Sequence, residues 1–595
     1  MIYYYNRKRI FNFTLEYYML NKIWCYKNRG TDINEITEFS TKYKLPPVIT
    51  TVLFNRGIKS RDSVSAFFKK GLDSVHNPMD MNDMPKACER IKQAIGNKER
   101  IVVYGDYDVD GITSTVLLYK FLKESGAEVD YYIPDRISEG YGINIMAINR
   151  IARSGAKLMI TVDCGITAVG EVEFARTQKM DVIITDHHTC KDELPRAVAV
   201  INPKRPDSEY PFGQLAGVGV AFKLALAVAK HMGRNTTEVF KKYAELAAVG
   251  TVADVVSLLD ENRVIVERGL EVTASGEGNP GIRALLEVAG CLDKPIDTQT
   301  VAFSVAPRIN AAGRLSNADT AAKLLLCETL DEAREYAMLL DNSNKARRQT
   351  EQEIFAQAMN KVMNDPTFDK KKVIVLDGEG WHHGVIGIVA ARICERFYKP
   401  CILISHENGT GKGSGRSIPG FNLFDALTEC NDCLTTFGGH SQAAGIGINT
   451  DSIESFCTAI NKYADKVLTE IDMIPRIDID CRIKPTTATL ECARALKRLE
   501  PFGEDNEKPV FSILGMKIAA IDTIGQDKRH IRMKLTDNTA TLFSVGFNMA
   551  EYAPFFKPGD MVDVAFTLEI NTYNNKESVQ LMLKDIKKHS ETNSN

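Results

Sequence analysis

Between residues 101 and 201 the chain carries five short apolar runs, at 101–104, 129–133, 157–162, 181–185 and 197–201. Helix-like segments at about 112–124, 143–153 and 168–178 separate the first four. Short runs rich in Val, Ile and Tyr read as strands, and strands alternating with helices build a parallel sheet covered by helices on both faces. Two more helix-like stretches follow, at about 215–231 and 237–250.

Chemistry sits at the ends of these strands. The first run closes on Tyr104-Gly105-Asp106-Tyr107-Asp108-Val109-Asp110-Gly111, the third on Val162-Asp163-Cys164-Gly165 and the fourth on Thr185-Asp186-His187-His188. Ligand sites of open parallel sheets lie beyond the carboxyl ends of the strands. Carboxylates crowded there repel unless a cation neutralises them, and hard oxygen donors suit Mg²⁺ or Mn²⁺. The adjacent histidines add nitrogen ligands, and Asp254, after the helical pair, is placed to close the site. So many acidic groups imply two divalent ions about 3.5–4 Å apart, a layout suited to in-line phosphoryl displacement. A carboxylate such as Asp163 would bridge them.

The second half handles phosphate. Residues 413–420 read Gly-Ser-Gly-Arg-Ser-Ile-Pro-Gly, and 437–445 read Phe-Gly-Gly-His-Ser-Gln-Ala-Ala-Gly. Read as loops, these offer backbone N–H groups to an anion, with Ser414, Arg416 and His440 as side-chain donors. Ala306 to Arg314 reads as a tight loop presenting Arg308 and Arg314, and Arg136 follows the second strand. Trp381-His382-His383-Gly384 opens a helix, with His382 either a ligand or a helix-start residue. Residues 316–363 read as a long connecting helix, with a break expected near Asp341-Asn342. A second α/β unit follows, with strands at 372–376 and 400–404 and a helix at 384–397. Near the C-terminus, His530, Arg532 and Lys534 alternate with Ile531, Met533 and Leu535. That pattern gives a strand one basic and one apolar face, as in a small barrel tracking a phosphate backbone.

Composition bounds the partners. With 74 Lys and Arg against 77 Asp and Glu, net charge is −3, so a nucleic-acid site must be a local patch. The 13 cysteines are scattered, with one close pair, Cys430/Cys433, which points to reduced thiols and a cytoplasmic protein. No apolar run reaches membrane-spanning length of about 18 residues.

These motifs together resemble the DHH phosphoesterase superfamily. Asp108-x-Asp110, Asp163, Asp186-His187-His188 and Asp254 are similar to its signature. Trp381-His382-x-Gly384, Gly-Ser-Gly-Arg-Ser and Gly438-Gly439-His440 are similar to its associated second domain. The segment Leu499-Glu500-Pro501-Phe502-Gly503-Glu504-Asp505-Asn506 resembles one branch, the single-stranded-DNA-specific exonucleases. The resemblance implies an α/β fold of two domains around a central cleft, joined by a long helix, plus an OB-fold barrel. It implies a division into a lead-in (1–75), a DHH domain (76–315), a connecting helix (316–365), a DHH-associated domain (366–470) and an OB-fold (471–590). The implied activity is 5′→3′ degradation of single-stranded DNA to 5′-mononucleotides with Mn²⁺ or Mg²⁺, in recombination and repair. The implied partners are single-strand-binding protein and a repair helicase, and we expect a monomer. By position, Asp108, Asp110, Asp163, His187 and Asp254 match metal ligands, and Asp186 and His188 complete the motif. Arg136, Arg308, Ser414 and Arg416 match DNA-phosphate contacts, and His440 matches the Gly-Gly-His histidine. The alternatives are a phosphodiesterase for short oligonucleotides or cyclic dinucleotides, and a DNA-binding scaffold without chemistry. Residues 1–18 have no counterpart in the family pattern, so translation is expected to begin at Met19, or these residues to be dispensable.

Overall fold

The computed structural model describes residues 22–30, 32–69, 71–136, 139–140, 142–315 and 317–590. The proposed start at Met19 and the stretch 1–18 lie outside the described residues. The chain divides into two compact units that interleave in sequence. One comprises Ser60–Arg347 and Leu499–Glu507; the other comprises the chain up to Lys59, Arg348–Arg498 and everything from Lys508 on.

The first unit is built on a five-stranded sheet. Its spatial order is Glu128–Tyr132, Arg100–Tyr104, Leu158–Val162, Asp181–Thr185, Ala199–Ile201, every pairing parallel. In sequence terms the order is 2-1-3-4-5, which reverses direction between Arg100–Tyr104 and Leu158–Val162. Such a switch point opens a crevice at the carboxyl ends of its two strands. Residues Leu158–Val162 are buried throughout, as a central strand covered on both faces requires. Ile101, Val103, Ile160 and Ile183 face the helices Val109–Glu124, Gly217–His231 and Thr236–Ala253. Val102, Met159, Val182 and Ile184 face Ile145–Arg153 and Val169–Thr177. The sheet expected from the apolar runs is thus present, its strand ends shifted by a residue or two.

Ala306 to Arg314 is a correction: it is not a loop but the helix Ala306–Leu315. Pro307 made it read as a break. The helix reaches Pro307 through a wider turn, Val301–Val305, in which the Ala306 N–H bonds the Val301 carbonyl. A π turn of this kind accommodates a residue lacking an N–H. The long helix also differs from expectation. It runs unbroken over Leu330–Asn364, and the interruption lies earlier, between Asp319–Leu326 and Leu330.

The second unit carries a mixed sheet ordered Thr436–Gly439, Ala443–Asn449, Thr410–Arg416, Cys401–Glu407, Ile374–Glu379. Here the Gly-rich reading needs correcting. Gly411, Gly413 and Gly415 lie in a central strand, hydrogen-bonded on both sides, not in a phosphate loop. A Cβ at these positions would sit 3.0 Å from Ile404, 2.7 Å from Ile446 and 2.7 Å from Leu423, so these glycines let the sheet face pack closely.

The same unit holds a closed five-stranded barrel of Phe511–Ile524, His530–Thr536, Thr541–Gly546, Lys576–Lys588 and Met561–Tyr573, with Phe511–Ile524 pairing Met561–Tyr573 to shut it. Near the start of the described chain, Ile23–Tyr26 forms a strand beside Arg476–Ile479, an element the sequence reading passed over. Trp24 anchors it, its indole N–H donating to Asp585 at 2.7 Å.

Candidate active site

The switch point of the parallel sheet gathers the acidic residues. Asp108 caps the helix Val109–Glu124, its carboxylate accepting the Gly111 N–H at 3.0 Å, and this places Asp110 in the first turn. Both Asp110 oxygens accept N–H bonds of 2.7 Å, from Gly217 and Val218 at the start of the helix Gly217–His231. A helix N-terminus favours an anion, so two elements fix this carboxylate. Asp163 follows its strand with φ +58°, a left-handed conformation that turns it toward the others. Any side chain at Gly217 would lie 2.6 Å from the Asp163 carboxylate, so glycine is what lets that helix end approach.

His187 stands in the middle. Its Nε2 lies 3.2 Å from Asp163, 3.6 Å from Asp254 and 3.9 Å from Asp110. Ligand atoms cluster within 4.8 Å in three sets: Asp110, His187 and Asp254; Asp106, Asp108 and Asp163; and Asp163, His187 and His188. Asp163 and His187 each belong to two sets, the arrangement needed to share two ions. Asp186 serves differently. Its oxygens accept N–H bonds from Ile166, His187 and His188 and bind His188 Nδ1 at 2.8 Å, so it orients its neighbours.

Electrostatics shows how poorly this cluster tolerates standing alone. Burial, reinforced by Asp108, pushes Asp106 and Asp254 up to about 7. Burial and neighbouring carboxylates raise Asp110 and Asp163 well above the usual range. Burial, then His188, holds His187 down to about 3, leaving a neutral imidazole with a free lone pair. Against burial, which alone would raise it, the His188 and backbone hydrogen bonds keep Asp186 below its ordinary value. Buried oxygens of Asp106, Asp163 and Asp254 and the Nε2 of His187 have no hydrogen-bond partner. Carboxylate and imidazole donors left unsatisfied together fit Mn²⁺ or Mg²⁺.

Asp106 is the member the sequence reading left out of its ligand set, although its alternation with Asp108 and Asp110 was the signal. Around it, the Arg136 guanidinium lies 5.0 Å from the Tyr107 ring centroid, and Gly313, beside Arg314, abuts the Tyr107 carbonyl. Both arginines therefore border the Asp106–Asp108 loop. Arg308 makes two bonds of 2.9 Å to Asp341 of the long helix and one of 2.6 Å to the Ser304 carbonyl.

In the other unit, Ser414 and Arg416 share the strand face that meets the helix His383–Phe397, where Gly387 leaves them room. Arg416 donates to the Gly415 carbonyl at 2.7 Å. Beside them lies a trough of about 630 Å³ lined by His383, Lys412, Ser414, Thr436, Gly438 and Gly445. His382 caps that helix, its Nδ1 accepting the Gly384 N–H at 3.1 Å. His440 is exposed just beyond the strand Thr436–Gly439.

On the barrel, Arg532 and Lys534 are exposed while Ile531, Met533 and Leu535 are buried. Lys534 pairs across the ladder with Phe543, which is 54% exposed. Phe547, 58% exposed, packs its ring 4.9 Å from His530. The sequence reading missed both phenylalanines.

Three family models match this chain: the DHH family N-terminal domain over residues 100–251, the DHHA1 domain over 370–466, and the RecJ OB domain over 479–585. The single-stranded-DNA-specific exonuclease RecJ of Bacillus subtilis is 39% identical over 556 residues, covering 93% of this chain and 70% of the relative. The crystal structure of RecJ from Thermus thermophilus with Mn²⁺ is 28% identical and superposes with a TM-score of 0.80, covering 96% of this chain and 80% of that one. The same protein with Mg²⁺ gives 0.74 at the same identity, covering 96% and 79%.

Proposed function

Because this chain belongs to the RecJ family of single-stranded-DNA-specific exonucleases, we propose that it hydrolyses single-stranded DNA from the 5′ end, releasing 5′-mononucleotides in recombination and repair. One observation carries the chemistry: carboxylates and imidazole converge, unsatisfied, at the switch point of a parallel sheet. When bound, Mn²⁺ or Mg²⁺ supplies Lewis acidity, which makes water nucleophilic at neutral pH and neutralises charge growing on the phosphate.

The chain's own residues do the rest. Asp106, Asp108, Asp110, Asp163, His187 and Asp254 hold the ions, and His188 adds a donor at the edge. Asp186 locks the His187-His188 backbone and the His188 ring. Arg136 and Arg314, bordering the acidic loop, are suited to draw in a phosphodiester. Ser414 and Arg416 are assigned to the terminal 5′ phosphate, with His440 as a further phosphate donor. Arg308, braced by Asp341, and His382, at its helix start, are further candidate phosphate contacts. Arg532 and Lys534, with Phe543 and Phe547, offer charge and stacking for a long strand. We keep the five-part division given by the sequence for these roles.

A barrel of this kind favours a polymer over a dinucleotide. The deciding assay digests long single strands labelled at either end, duplex, RNA and a dinucleotide, with and without Mn²⁺. Metal-dependent release of mononucleotides from the 5′ end of the single strand alone is expected; preference for the dinucleotide would select the short-substrate phosphodiesterase. We also infer a cytoplasmic monomer that works beside single-strand-binding protein and a repair helicase. Light scattering and co-purification test this.

A further inference from the structure

We propose that residues Leu499–Glu507 are a clasp that positions Asp254 for metal, a reading that rests on Asp254 being a ligand. Asp254 ends the helix Thr236–Ala253, its N–H bonding the Gly250 carbonyl at 2.9 Å. The next residue, Val255, has φ +59° and is 65% exposed. A β-branched residue in that region is unfavourable and persists only where its surroundings over-determine it. No packing on Val255 itself supplies that constraint. It comes from three residues further on.

Leu258 is buried, and its N–H donates to the Glu504 carbonyl at 2.8 Å. Its side chain fills the space where a Cβ on Gly503 would stand, 2.4 Å from Leu258 Cδ1. The Ser257 carbonyl accepts Asn262 Nδ2 at 2.9 Å. The strained turn is therefore pinned at its far end by Gly503-Glu504.

That segment is itself anchored at several points. Arg263 donates to the Leu499 carbonyl at 2.8 Å and the Glu500 carbonyl at 2.5 Å, with its guanidinium 4.2 Å from the Phe67 ring centroid. The Thr298 hydroxyl donates to the Phe502 carbonyl at 2.6 Å. Asn506, fully buried, ties the Leu499 and Pro501 carbonyls at 2.9 and 2.6 Å. Yet the chain on either side of these nine residues belongs to the other unit. A plain connection would run over the surface. This one sinks Leu499, Pro501 and Asn506 into the unit and sets Gly503-Glu504 against the turn that carries a ligand, so it acts on the metal through Asp254.

The test measures Mn²⁺ binding directly, by the electron paramagnetic resonance signal of free Mn²⁺ over the full-length protein. Variants are Thr298→Val, which removes one hydroxyl at nearly constant volume, Asn506→Ala, and Asp254→Asn as the reference. Outer-shell supports typically contribute about ten- to hundredfold to metal affinity. The expected result is one of two Mn²⁺ sites weakened by about tenfold or more in the clasp variants, the other unchanged, and kcat restored by excess Mn²⁺. Unchanged Mn²⁺ affinity in both clasp variants, with Asp254→Asn weakened, would overturn the clasp and leave the ligand assignment standing. Wild-type Mn²⁺ binding by Asp254→Asn would instead overturn the assignment itself. Thr298→Val remains informative if Asn506→Ala does not fold.

Discussion

At Asp163 the backbone adopts φ +58°, which few side chains accept, and the carboxylate is buried among others. Asparagine tolerates that conformation and matches the shape without the charge. Asp163→Asn should therefore abolish cleavage at saturating Mn²⁺, while the metal-free protein melts no lower than wild type because a repelling buried charge is gone; activity assays and calorimetry check both. Arg416 is the residue to ask about polarity. Charge-assisted hydrogen bonds are worth roughly 1.5–3 kcal/mol. Arg416→Ala should thus slow digestion of 5′-phosphorylated strands about ten- to hundredfold in kcat/KM, and 5′-hydroxyl strands much less. Time-resolved digestion of 3′-labelled oligonucleotides separates the two, and equal losses would make Arg416 a general backbone contact. At this scale the ligands were legible because charge at the end of an apolar strand has few inexpensive explanations. The pairing of Arg308 with Asp341 was not. Whether an arginine meets phosphate or Asp341, 33 residues on, depends on folding that local sequence does not encode.

Elements tell a similar story. The parallel strands were legible from their apolar runs, whereas Thr410–Arg416 was not, since glycine reads as a turn unless its neighbours are known. Gly413 lies between Ile404 and Ile446 on the two adjoining strands, and only that pairing explains it. On the barrel, the alternation of Arg532 and Lys534 was legible, but Phe543 and Phe547 were not, because nothing local tells an exposed aromatic from a core one. Arg532→Ala with Lys534→Ala should reduce the salt slope of single-strand binding by about 1.4, at about 0.7 per phosphate contact. Phe543→Ala should weaken binding by about 1–3 kcal/mol with the slope unchanged. Fluorescence anisotropy across a salt series measures both. The helix Thr236–Ala253 supplies a pH-dependent case. Glu245 is buried there, accepting the Asn279 N–H, and burial pushes it up to about 7. A carboxyl raised on folding favours the fold at low pH, and that contribution is lost as pH rises from its ordinary value toward 7. Glu245→Gln should leave melting at pH 5 nearly unchanged and raise it at pH 8; a shift equal at both would remove titration as the cause.

The whole molecule is assembled from pieces distant in sequence. Leu499–Glu507 completes one unit and the stretch before Lys59 contributes to the other. This interleaving was invisible in the sequence, where the same residues read as a lead-in and a family motif. It makes the described N-terminal strand structural: a chain beginning at Met19 should melt like the full chain, whereas removal through Tyr26 strips Trp24 from Asp585 and should lower the melting transition of that unit. Differential scanning calorimetry on the two truncations decides this. Interleaving also sets an order of events on the ribosome. Ile23 must wait for Arg476 to be made, about 450 residues later, or roughly 20–90 s at about 5–20 residues per second. The acidic centre likewise emerges well before Leu499–Glu507. On the clasp reading, a partly synthesised chain thus holds the ligands of a nuclease without the segment that steadies one of them, and gains its full metal affinity only once Leu499–Glu507 is made.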